Sequence, residues 1–276
     1  MNCRLLTEAD FHALYQTFNA AFSDNFVKFQ PTEEEFLYRI NEKVRVENDI
    51  SAGSFDGTEM VGFILHTSNV YQGIPTAYNA GTGVLPGFRN QKVAEDLYAF
   101  LIPKIQSKFL ARILLEVVEV NEFAIKLYEK IGFHFKRRLQ CFKQNQVIEK
   151  PQASLDVEDG VIDDVNFHFN DFEPSFIDNG AHLIGGKEQV LLAKKEGEVA
   201  GFVVFQPHLG RISQLSVSRK FRGMHIGKVL LYEAQERCHK KLTIMNIPED
   251  QHGFHQFLTN CGFENEVNQF EMELII

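Results

Sequence analysis

Basic residues are in short supply in this chain. Lys and Arg number 28 against 37 Asp and Glu, a formal net charge of -9. That balance argues against a dedicated nucleic-acid binder, whose affinity comes mostly from cations neutralising phosphates. Cysteines are few and scattered: Cys3, Cys141, Cys238 and Cys261 form no C-x-x-C pair. Neither a disulfide framework nor a zinc site is expected, and a reducing, cytoplasmic compartment is. No apolar run approaches the roughly 18 residues of a membrane span. The opening MNCRLLTEADFH carries acids where a secretory leader would carry a basic segment and an apolar core. The ten histidines show neither H-x-x-x-H nor H-E-x-x-H spacing, so no metal is assigned, and nothing matches a G-x-x-x-x-G-K-[ST] phosphate loop.

What is present is the composition of a globular chain, 44% apolar and 24% charged, over 276 residues. That length suits one large domain or two modest ones. An internal repeat decides between them. Val61-Gly62-Phe63-Ile64 returns as Ala200-Gly201-Phe202-Val203, Val84 to Ala94 (VLPGFRNQKVA) returns as Val217 to Gly227 (VSRKFRGMHIG), and Ile131-Gly132-Phe133 returns as Cys261-Gly262-Phe263. Three landmarks in order at near-equal spacing mark a unit too long for a solenoid repeat and right for a domain. The polar stretch 144–154, with Pro151, reads as the linker. Two domains follow, at residues 1–145 and 155–276.

Within the first copy, Phe11, Leu14, Tyr15 and Phe18 fall on one helix face, and Thr32 with Glu33-Glu34-Glu35 opens a second helix expected to run to Val46. Strands are expected at 51–55, 60–67, 76–84, 113–118, 133–135 and 138–142. A helix with Ala94, Leu97, Leu101 and Ile105 on one face should kink or fray at Pro103. A last helix is capped by Asn121, buries Ala124, Leu127, Tyr128 and Ile131, and closes on Gly132 as a left-handed C-cap. The second copy repeats the later part, with strands near 189–194, 199–205, 210–217 and 242–247 and helices over 224–238 and 249–260. Residues 156–186, rich in Asp, Asn and Phe, yield no assignment.

The strand running into a helix through Leu85-Pro86-Gly87-Phe88-Arg89-Asn90-Gln91-Lys92 leaves backbone N–H groups free at the helix start, which with the helix dipole makes an anion site suited to a pyrophosphate. Here the sequence resembles the GNAT superfamily of acyl-CoA-dependent N-acyltransferases. The family signature [QR]-x-x-G-x-[GA] is met by Arg89-Asn90-Gln91-Lys92-Val93-Ala94 and by Arg222-Gly223-Met224-His225-Ile226-Gly227. Its later motif N-x-x-A-x-x-x-Y-x-x-x-G-F is met by Asn121, Ala124, Tyr128, Gly132 and Phe133. The central glycine is Lys92 in one copy and His225 in the other, and in the second copy Gln251, Phe254 and Leu258 stand where Asn121, Ala124 and Tyr128 stand in the first.

The resemblance implies an α/β (α+β) fold of two GNAT-like domains, each a mixed, mostly antiparallel sheet flanked by helices. It implies acetyl-CoA as acyl donor, with Val84, Leu85, Arg89, Asn90, Gln91, Lys92, Val93, Ala94 and Asn121 binding it. Tyr128 would be the acid that protonates the departing thiolate, and an amide at Val84 or Leu85 would polarise the thioester carbonyl. The base is not identified by the residues: the strand Thr76 to Val84 carries no carboxylate, which leaves a water chain or Glu116. The acceptor implied is an amine of a small molecule or peptide, met by the segment Phe22 to Gln30, with no nucleic acid or membrane partner and room for a homodimer. The second copy reads as degenerate. The competing reading is a catalytically silent CoA-binding sensor or interaction protein of the same fold.

Overall fold

In the computed structural model, which describes residues 1–24, 30–152, 155–184 and 186–276, the chain divides into two compact units. Unit 1 is residues 1–137 together with 270–276, and unit 2 is residues 138–269.

The sheet of unit 1 contains β1 (Asn2–Leu5), β2 (Ala52–Asp56), β3 (Glu59–Tyr71), β4 (Ile74–Val84) and β5 (Arg112–Val118), side by side in that order and followed by the end of the C-terminal strand. Strands β1 to β4 pair antiparallel, whereas β4 and β5 run parallel. A parallel pair needs a crossover, and α3 (Val93–Ser107) supplies it. One sheet face packs Ile64, Ala77, Ile113, Leu115 and Val117 against Leu97, Leu101 and Ile105 of α3 and Tyr128 of α4 (Glu122–Ile131). The opposite face packs Phe63 and Leu65 against Leu14 and Phe18 of α1 (Phe11–Ala21) and Phe36 of α2 (Glu33–Tyr38).

Two helices depart from their sequence reading. Thr32 and Glu35 form the reciprocal capping box that starts α2, the Glu35 amide donating to Thr32 at 3.2 Å. The α-helix nevertheless ends at Tyr38, widens into a π-helical turn over 39–44, and stops at Arg45 in the left-handed region (φ 56°), short of Val46. In α3 the helix runs through Pro103 to Ser107 instead of fraying there. Pro103 and Ala99, the residue whose carbonyl loses its donor, both lie on the exposed face, where water takes the donor's place.

Unit 2 repeats the plan with residues 138–144 of β6 (His134–Gln144), then β11 (Thr243–Pro248), β10 (Arg211–Val217), β9 (Glu198–Gln206), β8 (Gln189–Lys195) and β7 (Asp156–Gly160) in spatial order. Its helices α6 (Ile226–Arg237) and α7 (His252–Asn260) cover one face. The unassigned stretch resolves into β7, three short 3-10 turns and the four-residue α5 (Gly180–Leu183). The reason is local: Asn166 and Asn179 accept from the amides of His168 and His182 at 3.2 and 3.1 Å. Each sits at an N-cap, where its side chain starts a fresh turn. Ala153 and Ser154 of the expected linker lie outside the described residues. No helix among the described residues is long and apolar enough to cross a membrane.

A buried histidine gives unit 1 a pH signature. His66 is fully buried, and its Nδ1–H donates to the Ile50 carbonyl at 2.8 Å. Burial pushes its pKa down to about 4. The unfolded chain therefore holds more protons than the folded one between about pH 6.5 and 4, and stability falls as pH drops through that window. We expect His66→Leu to flatten this limb of a urea midpoint-versus-pH curve; an unchanged limb would reassign the acid sensitivity to other groups.

Candidate functional site

The site grows from a break in pairing. β4 and β5 pair from Thr76 opposite Arg112 as far as Asn79 opposite Leu115, and no further, although β4 runs on to Val84 and β5 to Val118. The same point carries a register shift in the β3–β4 ladder, where Leu65 faces Gly81 and His66 faces Asn79, so Ala80 is an extra residue. A bulge of this kind bends its strand and ends pairing. Two glycines in the strand, Gly81 and Gly83, accompany it; a Cβ at Gly83 would meet the Phe63 ring at 2.5 Å.

Register then fixes which amides are open. The Leu85 N–H donates to the Val61 carbonyl at 2.9 Å, and Gly62 stands opposite Val84. Gly62 and Val84 are thus a non-hydrogen-bonded pair, and the Val84 N–H points away from β3, into the gap left by β5. Of the two amides expected to face a thioester, Leu85 is already committed and Val84 is open.

Beyond Leu85 the chain makes a 3-10 turn over Pro86–Phe88 and enters α3 through Asn90 and Lys92, both left-handed at φ 60° and 61°. The first helical bond is Asp96 N–H to the Lys92 carbonyl at 2.9 Å, so the amides of Val93, Ala94 and Glu95 precede the ladder. Amides left free at a helix start, with the helix dipole behind them, are an anion-binding arrangement. The left-handed entry also accounts for the departure from the family signature. A glycine at the Lys92 position would adopt φ +61° without cost; lysine adopts it anyway, with its side chain exposed. His225 in unit 2 does the same at φ 61°. The Arg89 side chain is turned elsewhere. It pairs with both Asp24 carboxylate oxygens at 2.6 and 2.8 Å and donates to the Ala21 carbonyl at 3.0 Å, holding the end of α1. The Gln91 side-chain Nε2 donates to the Gly87 carbonyl at 2.9 Å.

The helix α4 has the caps its sequence announces. Asn121 Oδ1 accepts from the Ala124 amide at 3.2 Å, and Gly132 ends it at φ 113°. Tyr128 is 8% exposed, edge-on to Tyr98 and Phe133 at centroid distances of 6.3 and 5.6 Å. Burial pushes its phenol pKa up, and a hydrogen bond from Thr82 of β4 pulls the other way. Behind it lies a polar cluster that sequence reading missed. Asn79 Oδ1 accepts from Gly81 N–H at 2.9 Å, while its Nδ2 donates to Thr82 Oγ1 at 2.8 Å and to the Tyr98 hydroxyl. The signal available was an asparagine and two glycines inside a strand that otherwise reads as continuous, a pattern that marks a bulge.

Glu116 projects to the other side of the sheet. Ile113, Leu115 and Val117 of β5 face α3 and α4, so by alternation Glu116 does not. Its carboxylate accepts from the Tyr78 hydroxyl. Residues 25–29 of the expected acceptor segment lie outside the described residues.

This geometry can be set against known proteins. The model of the acetyltransferase (GNAT) family matches residues 11–133 and 160–263. The chain belongs to the GNAT acetyltransferase family. The two matched stretches make it a tandem member, one copy of the fold following the other. Among solved structures, a GCN5-related N-acetyltransferase from Sphaerobacter thermophilus superposes with a TM-score of 0.72 at 15% identity, covering 99% of this chain and 95% of that one. A tandem GNAT protein from the clavulanic acid biosynthesis pathway gives 0.72 at 14% identity, covering 99% and 98%. A putative acetyltransferase from Pyrococcus horikoshii gives 0.71 at 16%, covering 100% and 89%. At these identities the likeness is one of fold. No curated protein matches.

The second GNAT copy is built differently where chemistry would occur. Leu258, fully buried, occupies the Tyr128 position, and Gln251 begins α7 without a side-chain cap bond. Phe257 packs so close to Gly227 that a Cβ there would lie 2.9 Å from its ring. β10 and β11 also part early, after Ile212 opposite Ile244, and a cleft of roughly 380 Å³ including its mouth opens there, lined by Ser175, Gln214, Ser216, Asn246 and Phe254. Its carboxylate, Asp178, is buried in an ion pair with Arg211.

Proposed function

We propose that unit 1 transfers an acetyl group from acetyl-CoA directly to an amine of a small molecule or peptide, and that unit 2 is a degenerate copy. The observation that carries this reading is the open Val84 amide at the point where β4 and β5 part, with Tyr128 buried in the same core as the start of α3 and the end of β5. The amides of Gln91 to Ala94 are suited to the pyrophosphate, and the Asn121 side chain to the pantetheine arm. Val84 N–H donates to the thioester oxygen as negative charge builds there. The amine nitrogen attacks the carbonyl carbon, the C–N bond forms, and the C–S bond breaks with its electron pair leaving on sulfur. Tyr128 gives its proton to that sulfur and is reprotonated from solvent. Glu116, directly or through water, takes the proton the amine must lose. Holding both partners at one strand gap supplies much of the acceleration.

The proton transfer is uphill by reference values, since a phenol near 10 faces a thiol near 8.5, and burial of Tyr128 widens the gap. The Thr82 hydrogen bond narrows it by favouring the phenolate.

Thiol release from acetyl-CoA in the presence of a panel of primary amines and peptide N-termini tests the reading. Release with at least one amine, above the rate without amine, is the expected result. Saturable CoA binding with no release for any amine would favour the silent sensor instead.

A further inference from the structure

The cleft in unit 2 is lined by a donor that the fold itself does not use. Asn246 of β11 sits where the β6–β11 register breaks between Ile244 and Ile247, and its backbone is left-handed at φ 63°. Asparagine tolerates that conformation better than most residues, and residues held in it gather at ligand sites. Asn246 is 6% exposed and lines the cleft. Its Oδ1 accepts from the Cys141 thiol at 3.6 Å, while its Nδ2 donates to no group among the described residues. A buried donor without a partner is costly, so an acceptor is wanted there. The rest of the polar wall is spent internally. Ser216 donates to Asn170 at 2.5 Å, Asn170 to Gln214 at 2.8 Å, and Gln214 to the Asp178 carbonyl at 2.5 Å. Asp178 is the one ionisable side chain among the described residues lining the cleft, and its carboxylate is paired with Arg211. The cleft therefore presents no net charge, and a charged ligand would lose its water without gaining a counterion. Phe172 and Phe254, edge to face at 5.6 Å, add flat apolar wall. The closed part has room for roughly one or two waters, so only an end group of a few atoms enters it.

We propose that unit 2 binds an uncharged small molecule by a carboxamide end group, with the carbonyl oxygen on Asn246 Nδ2 and the remainder of the molecule against Phe172 and Phe254. A carboxamide suits the cleft better than an ester or a ketone, because its N–H also meets the lone pairs left on the Ser216 and Gln214 oxygens. CoA is a poor fit: Phe257 closes on Gly227 at the helix start, and Arg222 there is paired with Asp171 at 2.8 Å. Unit 2 is then degenerate as a transferase but not as a binding module, whatever unit 1 transfers.

Three probes of one shape and different charge test this: benzamide, benzoate and benzylamine. In the intact chain labelled with 13C at the methionine methyls, Met245 lines the cleft and is assigned by the loss of its resonance in Met245→Leu. Benzamide should move the Met245 resonance saturably at neutral pH, with Met60 and Met272 of unit 1 unmoved. Benzoate and benzylamine at the same concentrations should leave it in place, and so should CoA. Asn246→Asp keeps the size of the side chain and its tolerance of a left-handed backbone, but exchanges the donor for a carboxylate. It should weaken benzamide at least about tenfold and admit benzylamine instead. Thermal unfolding and an unmoved Met272 resonance report that this variant is folded; if it is not, the selectivity of the original chain decides. No movement of Met245 with benzamide up to its solubility, movement by all three probes alike or by CoA, or unchanged benzamide affinity in folded Asn246→Asp overturns the proposal.

Discussion

Replacing Tyr128 by phenylalanine should lower kcat about 100-fold, the low end of what a positioned general acid contributes, while the KM for acetyl-CoA stays within a few-fold of its original value. The asymmetry follows from where the phenol sits. Its ring is packed between Tyr98 and Phe133, contacts that phenylalanine keeps, and only the hydroxyl is lost. The amides placed to receive the pyrophosphate belong to a different element, the start of α3. Steady-state rates at saturating acetyl-CoA decide the matter. A fall in affinity with kcat preserved would make Tyr128 a packing residue, and an unchanged rate would remove it from the mechanism.

The second large effect concerns stability. Arg112, at the start of β5, is 2% exposed. Its guanidinium donates to Thr76 Oγ1 at 2.8 Å, to Glu273 at 2.6 Å and to the Tyr71 carbonyl at 2.7 Å, so it ties its own strand to three others of unit 1. Alanine would take one donor from the carbonyl and one from the hydroxyl, deprive Glu273 of its nearest cation, and open a cavity as large as the lost side chain. Breaking a buried pair on one side typically costs about 3–5 kcal/mol. Lys136, 3.1 Å from Glu273, softens the electrostatic part, so the lower half of that range is expected for Arg112→Ala in urea unfolding. Arg112→Lys should recover less than half of the loss, because an ammonium on a flexible stem does not reproduce the planar fork. A cost below about 1 kcal/mol would show that the network is dispensable.

Legibility in the sequence followed locality. The helix α4 could be read end to end because Asn121 and Gly132 act on backbone groups within three or four residues of themselves. The strand-turn-helix at Val84 to Ala94 was legible for the same reason, and so was the tandem arrangement, which a repeat betrays without any structure. What escaped reading was set at a distance. The first strand, Asn2–Leu5, is too short to show a period and exists because β2 is there to pair with it. The last residues of the chain join unit 1 because Met272 and Leu274 are buried in its core, a choice no pattern within 270–276 announces. The commitment of the Leu85 amide to Val61 depends on a register that a one-residue bulge sets. Asn79 read as one polar residue in a strand, and its significance came only with Gly81, Thr82 and Tyr98 gathered round it.

Calorimetric titration of CoA into the intact chain and into two matched variants puts the whole account at risk. Gln91→Glu and Met224→Glu place a carboxylate at equivalent, exposed points of the two helix-start loops, and a like charge beside a diphosphate costs several kcal/mol. One CoA per chain is predicted, weakened at least about tenfold by Gln91→Glu and untouched by Met224→Glu. Binding lost through Met224→Glu alone, or no binding by the original protein, would contradict it.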